Sequence, residues 1–216
     1  MSRHRAARTP LAIALDAHCE RLGACRHCAL APGVAPIVSL TRAPRAMLVG
    51  QAPGSTEMGG GRAFAGRAGK TLFQWLERAG LSEAVARELF YISAITRCYP
   101  GPHPGGRGDR VPSPAERARC GDWLAEELRI IRPAVIIPVG WLAIGRFLGA
   151  LPLDAVVGRT HEVTHEGGRS VIIPLPHPSG ASSWIHAPGH RTLLHRSLDL
   201  IGDCLVHVHG KTRSVA

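Results

Sequence analysis

The chain has 216 residues, 45% of them apolar, enough to enclose a hydrophobic core in one domain. Its net charge is +10, and of 26 basic residues only Lys70 and Lys211 are lysines. No apolar run approaches the roughly 20 residues of a membrane span, and six cysteines without a secretion signal make poor disulfide partners. These facts argue against a membrane-spanning or disulfide-stapled chain. They leave a globular domain whose arginine forks suit phosphate oxygens, although coding bias also enriches arginine.

Residues 1–10 are basic, and the apolar stretch after them, 11–15, is cut by Asp16. That is too short for a signal-peptide core of about 7–15 residues. A frayed cytosolic terminus ranks above an organelle transit peptide. Residues 11–26 read as an amphipathic helix carrying Cys19 and ending near Cys25-Arg26-His27-Cys28. CxxC spacing suits a metal or a redox pair. With Cys98 and Cys120, four thiolates become available, and as spacing alone they serve zinc or a [4Fe–4S] cluster equally. Cys19 and Cys204 read as ordinary helix-face residues.

Four strand-like runs then alternate with helical ones: 45–49, 89–95, 134–139 and 171–175, followed by helices at 68–79, 113–131, 141–148 and 191–206. Ser113 before Pro114, with Glu116 three residues on, makes a capping box. Near-continuous apolar strands imply burial on both faces. The predicted fold is therefore an α/β three-layer α/β/α sandwich around a four-stranded, mainly parallel sheet, forming one domain over 1–216 with about 1–10 and 210–216 frayed. The first strand runs into Gly50-Gln51-Ala52-Pro53-Gly54, and the last into Pro176-His177-Pro178-Ser179-Gly180. Both loops leave carboxyl ends of strands, where parallel sheets hold ligands. Residues 99–112, rich in glycine and proline, form a surface loop beside them. The tail after Cys204 is expected to fray.

In order along the chain these landmarks are CxxC, GQAPG, GRAFAGRAG opening a helix, Tyr91 to Cys98, Pro114-Ala115-Glu116 with Cys120, and HPSG. Together they resemble the iron–sulfur uracil-DNA glycosylases, chiefly the family-4 enzymes, from about Cys25 to the last helix. The resemblance implies that Cys25, Cys28, Cys98 and Cys120 hold a structural [4Fe–4S] cluster and that no metal takes part in the reaction. It implies that Phe64 stacks on an extruded base, that His177 lies beside the uracil O2, and that Ser179 and Gly180 grip the DNA. The departures are Gln51 where family 4 has glutamate, Glu57-Met58 where it has Glu-Asp, and Ala94 where it reads uracil with asparagine. Residues 93–98 look closer to family 5. Gln51 is similar to family 1, whose following aspartate is replaced by Ala52.

The implied reaction breaks the C1′–N1 bond of a deoxynucleotide, so negative charge gathers on the leaving base. The candidate catalytic residues are His177, Gln51 and Glu57: His177 as donor to O2, Gln51 to orient water, and Glu57 as the carboxylate of the first loop. Gln51, Ala52, Phe64, Ala94 and His177 are the candidate base-binding set. Arg67, Lys70 and Arg191 near helix starts, with Ser179, Gly180 and Trp184, are the candidate DNA contacts; Trp184 or Ile185 could wedge the gap left by the flipped base. Histidines 177, 186, 190 and 195 lack the tight spacing of a zinc site. The expected partner is uracil-containing DNA and the expected state a monomer, cytoplasmic and nucleoid-associated. The alternatives are an iron–sulfur module that binds damaged DNA without cleaving it, and a glycosylase for another deaminated base such as hypoxanthine. No GxSxG or triad order supports an unrelated hydrolase.

Overall fold

The computed structural model describes residues 8–28, 30–106, 108–179 and 183–210, the last five by backbone alone. Helix α1 (Pro10–Gly23) is capped by Thr9, whose hydroxyl accepts the Ala12 N–H. Then follow β1 (Ala46–Gly50), α2 (Ser55–Gly60), α3 (Arg67–Arg78), α4 (Glu83–Leu89) and β2 (Phe90–Ala94). The second half comprises α5 (Pro114–Ile131), β3 (Val135–Pro138), α6 (Trp141–Leu148), α7 (Leu153–Val156), β4 (His161–His165), β5 (Gly168–Ile172) and α8 (His190–Gly210).

The strands form one sheet in the order β2-β1-β3-β5-β4, parallel except where β4 joins β5. Alternate residues of the central strands feed two cores. Ala46, Leu48, Phe90, Ile92, Val135 and Ile137 meet Leu72 and Leu76 of α3 and Leu194, Leu198 and Ile201 of α8. Met47, Val49, Tyr91 and Ile136 meet Leu15 of α1, Leu124 and Leu128 of α5, and Phe147 of α6. Both faces are covered, which accounts for the continuous apolar runs and gives the three layers read from the sequence.

The sheet has five described strands where the sequence reading has four. The added strand, His-Glu-Val-Thr-His, lies at an edge and alternates half-buried with exposed. Its polar composition carries no apolar run, and edge strands are commonly blunted in this way. The capping box at Ser113 is formed: Ser113 Oγ accepts the Glu116 N–H, and Glu116 accepts the Ser113 N–H. Arg110, from the preceding loop, adds a bidentate pair that holds the Glu116 carboxyl down at about 2.

Candidate active site and cysteine cavity

The carboxyl ends of four strands lie side by side along one edge. Gly50 pairs in register with Ala94, the Val139 N–H donates to Val49 O, and the Gly140 N–H donates to Leu175 O. With strands about 4.8 Å apart, the chain leading to His177 runs about 10 Å from Gly50. Gln51 continues the alignment, its carbonyl accepting the Thr96 N–H at 3.2 Å. Ala94, Gln51 and His177 thus lie at or after strands that end along the same edge, with β3 between the last two.

Phe64 reaches this edge through the loop between α2 and α3. Its ring lies against Gly50, where a side-chain carbon would be 2.9 Å from Cζ. Its backbone is left-handed, with φ 54°, a costly conformation for an aromatic residue. Two contacts hold it there. Gly69, in the first turn of α3, lies so close to the Phe64 carbonyl that a Cβ would stand 1.9 Å from the oxygen. Arg87 of α4 donates to the carbonyls of Ala63 (2.9 Å) and Phe64 (3.1 Å), pairs with Glu83, and stacks 4.3 Å over the Phe73 ring.

Glu57 is only 8% exposed, and its carboxylate clasps the loop. One oxygen accepts the Gly54 N–H at 2.8 Å and the other the Gly66 N–H at 2.9 Å. The two halves of the glycine-rich segment are thereby fixed around one side chain. Asp109 approaches the same turn, since a Gly54 side-chain carbon would meet its Oδ2 at 2.9 Å. The Tyr99 hydroxyl donates to Asp109 across the 99–112 loop.

His177 is half-buried, and burial pushes its pKa below the ordinary value. The Ser179 N–H donates to His177 Nδ1 at 3.2 Å, with Ser179 Oγ 2.9 Å from the same nitrogen. A backbone N–H can only donate, so Nδ1 is an acceptor and the neutral ring carries its proton on Nε2. Gly140, at φ +86°, makes room for the ring: a Cβ there would be 2.9 Å from His177 Cδ2.

Arg67 and Lys70 on α3 and Arg191 on α8 are all exposed. Trp184 stacks on His190 with ring centroids 4.1 Å apart and packs against the small cluster of Ile144, Val156 and Val157. Ile185 packs on the larger core. Gly180 lies outside the described residues.

Cys25, Cys28, Cys98 and Cys120 line one cavity of about 280 Å³. Burial, then the neighbouring Cys120, Cys28 and Cys25, push the Cys98 thiol up to about 12. Among the described residues no three His, Cys, Asp or Glu side chains converge tightly enough for a single metal ion. Four cysteines around one cavity match the donor set of a [4Fe–4S] cluster. Cys19 takes no part, lying 3.7 Å from Ser39 O and from Tyr91 Oη in the core.

Sequence reasoning misses Arg87, Gly140 and Asp109, and names Gly69 only as part of the GRAFAGRAG motif. Nothing in the sequence marks the reach of Arg87 to Phe64. Glu127 carries a usable signal: a carboxylate between Leu124 and Leu128 on the buried face of α5.

Residues 39–199 match the family described as the uracil DNA glycosylase superfamily. The chain is 35% identical over 135 residues to a type-4 uracil-DNA glycosylase of Thermotoga maritima, covering 62% of this chain and 65% of that one. A type-4 uracil-DNA glycosylase of Archaeoglobus fulgidus is 34% identical over 138 residues, 62% of this chain and 64% of the relative. A type-5 enzyme of Pyrobaculum aerophilum is 35% identical over 122 residues, about half of each chain. The matches thus span just under two thirds of the type-4 relatives' length. With a family match over most of its length and the sheet edge described above, the chain belongs to the uracil DNA glycosylase superfamily.

Proposed function

We propose that this protein hydrolyses the N-glycosidic bond of deoxyuridine in DNA, leaving an abasic site. The observation that carries the reading is the fixed tautomer of His177, an Nε2–H donor at the strand edge that Phe64 also reaches. The target nucleotide leaves the stack, and Phe64 returns part of the unstacking cost by stacking on the base. As the glycosidic bond lengthens, charge collects on O2, and the Nε2–H of His177 stabilises it. A neutral donor needs no titration for this task. Ala94 offers no side-chain hydrogen bond, so the base edge is read by backbone groups and Gln51. Gln51 also orients the attacking water. Glu57 contributes mainly by holding the loop, each of its oxygens keeping a lone pair for a secondary role in water placement. Ser179 and Gly180 grip the DNA, Arg67, Lys70 and Arg191 meet phosphates, and Trp184 borders the gap left by the flipped base.

Cys25, Cys28, Cys98 and Cys120 would hold a [4Fe–4S] cluster that ties the amino-terminal segment to β2 and α5. The cluster supplies structure, and the bond-breaking chemistry belongs to the strand-edge residues. Among the described residues no helix is long and apolar enough to cross a membrane.

Incubation with a uracil-containing oligonucleotide, followed by alkali, tests the activity directly. Strand scission at uracil is expected, and binding without scission would favour a non-catalytic damage-binding module instead. A parallel hypoxanthine substrate tests the base range. The pH profile is a second check. Because burial lowers the His177 pKa, kcat/KM should stay flat from about pH 8 down to about 6.5, with any His177 limb below that. A limb centred on the ordinary histidine value would argue against this state. Arg87→Ala should lower kcat/KM about tenfold by releasing the Phe64 carbonyl, for a charge-assisted hydrogen bond of about 1.5 kcal/mol. Steady-state kinetics on the same oligonucleotide would measure it.

A further inference from the structure

Behind the four cysteines lies a buried charged network. Arg97 is 2% exposed and Glu127 fully buried, and the two form an ion pair. Glu127 also accepts from Tyr91 Oη and Ser93 Oγ, each at 2.9 Å, and lies 3.2 Å from His18 Nε2. Burial opposes ionisation of Glu127, but Arg97, His18 and Ser93 outweigh it and hold its pKa below the ordinary value. The carboxylate is shared among four partners and does not exhaust the guanidinium. Arg97 Nε has no hydrogen-bond partner among the described residues. A buried charged donor left without an acceptor is costly, and native structures rarely leave one.

The position of that donor is telling. Arg97 precedes Cys98 in the chain, and its backbone N–H bears on the Cys120 sulfur. Arg97 lines the same cavity of about 280 Å³ as the four cysteines, and its charge bears on the Cys120 sulfur. Glu127 does not line that cavity. Arg26 and Arg119 also border the cavity, but both are exposed, so solvent screens their charge.

We propose that Arg97 is the internal counter-charge of the cluster, donating from its guanidinium to a cluster or cysteine sulfur and raising the reduction potential. The inference rests on the cluster reading above. A four-cysteinate cluster is anionic and becomes more so on reduction, so a buried cation and N–H donor favour the reduced form. Through Ser93, which precedes Ala94 on β2, the same network joins the cluster to the strand that lines the base site.

The test uses the full chain, reconstituted anaerobically with iron and sulfide, with iron content measured before a mediated potential titration followed by electron paramagnetic resonance. Arg97→Gln alone strands Glu127 as a buried charge, so the deciding variants are Arg97→Lys and the double Arg97→Gln/Glu127→Gln. At a fixed applied potential, the double variant should lower the reduced-to-oxidised ratio at least about tenfold, which is 59 mV for a one-electron couple. Arg97→Lys should shift it the same way by a smaller factor, and Arg119→Gln by less still. A folded double variant that sheds iron while Arg119→Gln retains it would also support the role. Loaded Arg97 variants titrating with the wild-type midpoint would overturn the inference alone. A wild-type chain that takes up no iron and sulfide would overturn the cluster reading, and this inference with it.

Discussion

Gly69→Ala is expected to lower kcat/KM on uracil-containing DNA by between about fivefold and a hundredfold, the range set by a stacking contact of about 1–3 kcal/mol. An added Cβ would stand 1.9 Å from the Phe64 carbonyl oxygen and 2.4 Å from its carbon, both backbone atoms that cannot rotate away. Either the first turn of α3 or the Phe64 turn must move. Arg87 grips the same carbonyl, so the displacement carries to the Phe64 ring against Gly50. Overpacking of this kind also costs about 1–3 kcal/mol of stability, visible as a lower Tm. A double-mutant cycle separates the two effects. If Gly69 acts through Phe64, adding Gly69→Ala to Phe64→Ala should cost little further activity. Full additivity would mean that the substitution works elsewhere.

His177→Ala carries the largest expected kinetic loss, about 10²–10³-fold in kcat, the usual consequence of removing a preorganised donor at a developing anion. KM should change little, because the hydrogen bond strengthens only as charge arrives on the base. Gly140→Ala offers a gentler approach to the same atom. Its Cβ would press on His177 Cδ2 at 2.9 Å, and its φ of +86° suits glycine. It should therefore lower kcat in the same direction. Single-turnover measurements would expose the chemical step, and a His177→Ala rate within threefold of wild type would remove the histidine from the mechanism.

The layers of the fold were legible because each central strand feeds two cores and so is written in uninterrupted apolar residues. The Ser113 capping box was legible for a similar reason, since its chemistry lies within four residues. The edge strand at His161–His165 was not, because a strand with one solvated face and charged neighbours looks like a loop. At the candidate site, the loops that carry Gln51 and His177 could be picked out by their place after strands, while the roles expected of Phe64 and His177 came from the family resemblance. The supports of these residues could not be picked out. Arg87 reaches Phe64 across 23 residues, and Gly140 meets His177 across the sheet. Glu57 stood out as the carboxylate of its loop, yet only the fold makes it a clasp between Gly54 and Gly66. Long-range pairing of this kind leaves no local periodicity to read.

The strand edge that gathers Ala94, Gln51 and His177 has a consequence for biosynthesis. Its parts are delivered by widely separated stretches of the chain, and α8 packs on the same core as α3 only after the HPSG loop has been made. A nascent polypeptide on the ribosome therefore carries Phe64 well before it carries His177, and cannot assemble this edge until the last strand and α8 have both emerged.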